Sequence, residues 1–244
     1  MSRYFMYLAY NGTRFCGWQR QPNGVSVQQC LEDTMSVILQ EPVSVIGAGR
    51  TDAGVHARQM PAHFDVSGDL EDVSALTEKL NRMLSKDIAV LRIDPVKADA
   101  HARFDAVSRT YHYYITDRKN PFDYEWVYRM SLKRMNFDRM NEACSELLAY
   151  TDFTSFSKLH TDVKTNHCRM MKAGWRPDGD RWVFIIQADR FLRNMVRAIV
   201  GTLFDVGRGK ITPTDFRAII EAKDRCKAGM SAPPEGLVLM EVAY

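Results

Sequence analysis

The residues best suited to chemistry lie in the run GAGRTDAGVHARQMPAHF, positions 47–64. It sets one carboxylate, Asp52, between an arginine-threonine pair and a glycine, with His56 four residues on. Glycine at this density marks backbone that lies close to a neighbour or turns through positive φ. Three chemistries compete for such a loop. A phosphate cradle needs a Gly-Lys-Ser/Thr ending or a GxGxxG turn that opens a helix, and neither is present. Asp52 would also repel the phosphate. A metal centre would draw on Asp52, His56 and His63, but Gly54 and Val55 do not favour the helix that would make i and i+4 converge. No third ligand falls at a recognisable spacing. The remaining reading is a carboxylate on a tight turn, kept ionised by Arg50 and backbone N–H groups, which serves as nucleophile or base without a cofactor. A turn-forming aspartate that accepts its neighbours' amides fits the same residues. The residues alone leave those two level.

Two other stretches carry side chains of interest. Arg190, Arg193 and Arg197 recur at intervals of three and four, which predicts a cationic face on a helix that begins at Arg190. Leu192, Met195, Val196, Ile199 and Leu203 share the opposite face. Such arginines form either a solvated stripe or a wall that contacts phosphates or pairs with a catalytic acid. In SRTYHYY, residues 108–114, strand alternation separates Tyr111 and Tyr113 from Thr110, His112 and Tyr114. One face enters the core and the other offers an aromatic to a base.

The whole chain narrows the function classes. At 244 residues it suits one large domain or two smaller ones. With 45% hydrophobic and 26% charged residues it has the composition of a soluble globular protein. No apolar run approaches the ~20 residues of a membrane span. The first residues, MSRYFMYLAYNGTRF, read as a strand rather than a signal peptide. Cys16, Cys30, Cys144, Cys168 and Cys226 are odd in number, far apart and free of CxxC spacing. They are expected to be reduced, mostly buried cytosolic thiols, with neither structural zinc nor disulfides. Residues 157–210 hold eleven Lys/Arg, Lys164 among them, against five Asp, so this region is +6 within a chain of net charge +3. Arginine outnumbers lysine 22 to 11. That excess suits bidentate phosphate contacts and stacking on bases, and points to an anionic partner.

These residues need elements to position them. Strands are expected at 3–10, 42–49, 61–66, 87–96 and 107–116, and in a hairpin on each side of 177–180, with GLVLMEVAY closing the chain. Helices are expected from the Ser26 N-cap to Leu39, from Leu70 to Leu84, from Asn136 to Tyr150, from Arg190, and from the Thr212 N-cap. Hairpins set between helices give an α+β fold with a mostly antiparallel sheet. The expected seam, VKADAHAR near 96–103, separates an N-terminal half, 1–100, from a C-terminal half, 101–244.

Taken together, YNGTRFCGWQRQP, SVQQCLE, GRTDAGVHA, DIAVL, HARFDAVSRTYHY, NPF, DFTSF, FLRNMVRAIVGTL and APPEGLVL resemble the tRNA pseudouridine synthase A family over nearly the whole chain. The resemblance implies two similar α+β halves with helices on one sheet face, an active-site cleft between them, and a homodimer in the cytoplasm. It implies isomerisation of uridine to pseudouridine at nucleotides 38–40 of the tRNA anticodon stem-loop, with no metal and no nucleotide or other cofactor. By position it makes Asp52 the catalytic aspartate, Arg197 its basic partner, Tyr111 the residue that packs on the target base, and Arg50 the residue that helps extrude the nucleotide. The chain departs from the family at Gln59-Met60-Pro61, where a glycine-glutamine-valine run is usual, and at Ser231-Ala232-Pro233-Pro234-Glu235. Neither departure is expected to touch Asp52, Tyr111 or Arg197.

Overall fold

Strand β1 (Ser2–Tyr10) has an antiparallel partner along each edge in the computed structural model, which describes residues 1–158 and 165–244. One partner is β3 (His56–Val66) and the other is β4 (Ile88–Val96). The short β2 (Val45–Gly47) pairs with β3 at Ala62–Phe64. Alternation along β1 buries Tyr4, Met6, Leu8 and Tyr10, while Phe5 lies against the rings of Tyr244 and His63. Helix α1 (Val27–Leu39) starts where the Ser26 hydroxyl accepts the Gln29 amide at 3.2 Å. Helix α2 (Val73–Met83) begins later than the periodicity from Leu70 implies. Asp72 is extended there, and its carboxylate accepts the Ala75 amide at 2.8 Å, so the cap sets the boundary. Leu31, Met35 and Leu80 are fully buried under these helices.

The second part of the chain repeats the pattern. β5 (Ser108–Thr116) pairs with β8 (Arg181–Ala188), and β8 with β7 (Met170–Asp178), all antiparallel. The two-residue β6 (Tyr128–Arg129) is parallel to the end of β5. Helix α3 (Phe137–Glu146) is capped by Asn136 and ends in a 3-10 turn, Leu147–Ala149. Helix α4 (Met195–Gly207) is buried on almost every side, as an apolar helix must be. Helix α5 (Pro213–Ala222) starts with Thr212 and Asp215 capping each other's backbone. Strand β9 (Leu237–Ala243) closes the chain.

Contacts divide the chain into two compact units, Met1–Val107 with Leu239–Tyr244, and Ser108–Val238. The described residues thus hold nine strands, mostly antiparallel, and five α-helices, an α+β fold. Cys144 and Cys168 are buried, Cys16 and Cys30 half-buried, and Cys226 exposed. The expectation of mostly buried thiols therefore holds for only two of the five.

His63 sits in the first unit at 3% exposure, where its Nδ1 accepts the Ala102 amide. Burial, with the neighbouring His101 and Arg3, lowers its pKa to about 4. In the unfolded chain the imidazole takes up a proton near pH 6.5, while the folded protein stays neutral down to about 4. Between these values the unfolded state binds more protons, so stability falls with the pH. The expected loss is roughly 1 kcal/mol per pH unit, and urea titrations of His63→Gln from pH 7 to 4 should show a correspondingly flatter slope.

Candidate active site

The loop that carries Asp52 leaves β2 at Gly47 and enters β3 at His56. A neighbouring segment, residues 12–18, holds it along its length. The Trp18 amide donates to the Thr51 carbonyl at 3.2 Å, the Gly54 amide to Phe15 at 3.4 Å, and the Gly12 amide to His56 Nδ1 at 3.0 Å. The Thr51 and Tyr10 hydroxyls, both buried, are hydrogen-bonded at 2.8 Å. Asp52 itself closes a turn by accepting the Val55 amide on its carbonyl at 3.1 Å. The backbones meet at Gly17, whose φ is +84°, and a Cβ there would lie 2.5 Å from the Thr51 carbonyl oxygen. The result is a half-buried Asp52 and an exposed Arg50 on a braced loop.

β3 is longer than its expected span and runs straight through Gln59-Met60-Pro61. Pairing with β1 slips by one between Leu8–Met60 and Tyr10–Ala57, a bulge just beyond the Asp52 loop. Bulges of this kind re-aim the strand next to a site. Pro61 has no N–H for the ladder, yet its carbonyl accepts the Ala48 amide at 2.8 Å and pins the base of the loop. Through this carbonyl, residues 59–61 meet the base of the loop that carries Asp52.

In the second unit, Tyr111 lies on β5 with its ring edge-on to Phe191, at 5.3 Å between centroids. Tyr113, on the same strand, is fully buried and donates its hydroxyl to the Pro233 carbonyl at 2.8 Å. Burial raises its pKa, which keeps the phenol protonated for that bond. Arg197 lies in the first turn of α4. The helix expected from Arg190 begins only at Met195, because Asn194 takes a left-handed conformation with φ 64°. Arg190 and Arg193 are thus on the preceding loop, where the Arg193 carbonyl accepts the Lys158 amide, and the three arginines do not share a helical face. Lys164 of the basic region lies outside the described residues.

Arg197 Nε donates to the Ala232 carbonyl at 2.7 Å, and the Ala232 amide donates to the Arg197 carbonyl at 2.9 Å. The second departure, Ser231–Glu235, therefore grips one of the assigned residues. Sequence inspection missed Phe191 and Ala232. A glycine in the middle of an apolar helix, Gly201, was the available signal, since it marks a close backbone approach.

As for the metal reading, no cluster of three or more His, Cys, Asp or Glu side chains gathers among the described residues. His56 and His63 each use Nδ1 to accept a backbone amide, and these bonds orient both rings. No helix among the described residues is long and apolar enough to cross a membrane.

A family model described as tRNA pseudouridine synthase matches residues 6–105 and again residues 143–244. The chain is similar over its full length to the tRNA pseudouridine synthase A of Parabacteroides distasonis, 61% identical over 96% of that protein. It is 60% identical to that of Porphyromonas gingivalis over 98% of that protein. The Clostridium acetobutylicum enzyme of the same name is 41% identical, over 97% of each chain.

The Gly17 contact yields a direct test of the loop's brace. Gly17→Ala places a methyl group against the Thr51 carbonyl in a backbone conformation that disfavours it. It should destabilise the protein by about 2–3 kcal/mol, lowering Tm by roughly 4–10 °C, and should speed hydrogen exchange at the Trp18 amide.

Proposed function

The chain belongs to the tRNA pseudouridine synthase family, and from that membership we propose how its own residues perform the isomerisation. The enzyme converts uridine in the tRNA anticodon stem-loop to pseudouridine, at nucleotides 38–40. The reaction breaks the N1–C1′ bond, turns the uracil and joins C5 to C1′. The C5 proton leaves, N1 gains one, and no atom or electron is lost overall. Nothing in this balance calls for a hydride carrier, a nucleotide or a metal.

Asp52 starts the reaction as nucleophile or base on a flipped-out uridine. The observation that supports this assignment is the braced loop, whose backbone is held on both sides of the half-buried Asp52. Preorganised groups on a rigid support react without first paying to be ordered. Arg197 is the basic partner that pairs with Asp52 and aims its carboxylate. Tyr111 packs on the uracil, with Phe191 holding its ring from the edge. Extrusion of a stacked uridine costs a few kcal/mol. The exposed Arg50 offsets part of that by filling the gap left in the stack.

Residues 1–100 present the catalytic loop, and residues 101–244 bring the basic surface. Arg190 and Arg193, on the loop before α4, contact phosphates beside the target nucleotide, which makes binding weaken steeply with salt. The working enzyme is a cytoplasmic homodimer.

Asp52→Asn keeps the shape of the side chain and removes its charge. It should bind tRNA within about 3-fold of the parent while release of tritium from 5-³H-uridine tRNA drops at least about 1,000-fold. Substantial turnover by this variant would remove Asp52 from its role, and free uracil among the products would identify a hydrolase instead.

A further inference from the structure

Arg197 is held by a loop that is itself pinned by a second arginine. Arg225 reaches across residues 228–231: Nη1 donates to the carbonyls of Ala228 at 3.3 Å and Gly229 at 3.1 Å, and Nη2 donates to Ser231 Oγ at 3.1 Å. Ser231 Oγ also accepts from Asn194 Nδ2 at 2.6 Å, at the residue that starts α4. The next residue, Ala232, carries the carbonyl that receives Arg197 Nε.

Both ends of this clamp are anchored in buried structure. On one side, the fully buried Ser155 accepts the Asp224 amide at 2.9 Å and donates to the Ile219 carbonyl at 2.6 Å, which fixes the turn that bears Arg225. On the other, the fully buried Thr202 accepts the Gly229 amide at 3.0 Å while donating to Ala198 within α4. Gly201 has no side chain, and a Cβ there would lie 1.7 Å from the Met230 carbonyl oxygen. The loop can rest on the helix only because of that glycine. A planar guanidinium with several fixed donors suits this geometry, and an ammonium on a flexible stem does not.

We propose that Arg225 is a positioning residue for the isomerisation: by pinning residues 228–231 it presents the Ala232 carbonyl to Arg197 and fixes the plane of the Arg197 guanidinium. The inference rests on the assignment of Arg197 as the partner of the catalytic aspartate. Arg225 acts through this carbonyl and makes no contact with the reacting atoms.

Three measurements on the full-length enzyme test it: single-turnover tritium release at saturating enzyme, tRNA affinity, and hydrogen exchange of the Arg197 Nε–H by ¹⁵N NMR, assigned through its loss in Arg197→Lys. Arg225→Ala and Arg225→Lys should both slow the single turnover about 10- to 100-fold, leave tRNA affinity within about 3-fold, and speed Nε–H exchange at least about 10-fold. Ser231→Ala removes one hydroxyl from the clamp and should act in the same direction with a smaller effect, which keeps the test open if the Arg225 variants fold poorly. A wild-type rate in the Arg225 variants overturns the proposal, as does slow turnover with unchanged Nε–H exchange. Weakened tRNA binding at an unchanged rate overturns it too, and makes Arg225 a phosphate contact. Wild-type turnover by Arg197→Lys with the Nε–H effect of Arg225 intact would instead refute the role of Arg197 and leave the clamp standing.

Discussion

The close contact between the backbone of Gly17 and that of Thr51 and Asp52 is the constraint on which the Asp52 loop depends. A carboxylate carried near the surface sits on a connecting turn, where backbone is more mobile than in the elements it joins. Here the turn borrows rigidity from the segment before α1, through amide-to-carbonyl bonds at Trp18 and Gly54 and the buried pair of hydroxyls on Tyr10 and Thr51. The segment is in turn tied to α1, because the Val27 and Gln28 amides donate to the carbonyls of Gly17 and Trp18. Backbone hydrogen bonds therefore run from helix to segment to loop, and each restricts the freedom of the residues it joins.

Arg197 is supported by the same kind of device built from different residues. Its Nε meets a backbone carbonyl, and that carbonyl belongs to a loop resting on the helix that bears Arg197. In both places glycine does the enabling, by allowing one backbone to approach another more closely than a Cβ permits. Gln59-Met60-Pro61 and Ser231–Glu235 both lie in these supports. Pro61 offers the carbonyl that accepts the Ala48 amide, and Ala232 the one that accepts Arg197 Nε. A backbone carbonyl is supplied by any residue type, so such positions tolerate a change of side chain without loss of the bond.

The basic character of the second half is legible in composition, but its arrangement is not. Spacing placed Arg190, Arg193 and Arg197 on one helical face, and a single left-handed residue, Asn194, puts the first two on a loop. Asparagine tolerates that conformation better than most residues, and here its Nδ2 donates to Ser231 Oγ, distant in sequence. Periodicity carries no information about one residue that leaves the helical region, since the apolar positions on either side keep the helical beat.

From the sequence by itself came the element order apart from the two-residue β6, the α+β class, the caps at Ser26, Asn136 and Thr212, and, with the family resemblance, the reaction and the residues nominated for it. These are legible because period, capping chemistry and motif are local properties of the chain. The start of α4, the bulge beyond Ala57, the bracing of Asp52 by residues 12–18 and the grip of residues 228–232 on Arg197 were decided only in the folded structure. Each depends on which backbone groups from distant parts of the chain come within hydrogen-bond reach, and backbone amides and carbonyls are the same at every position of a sequence.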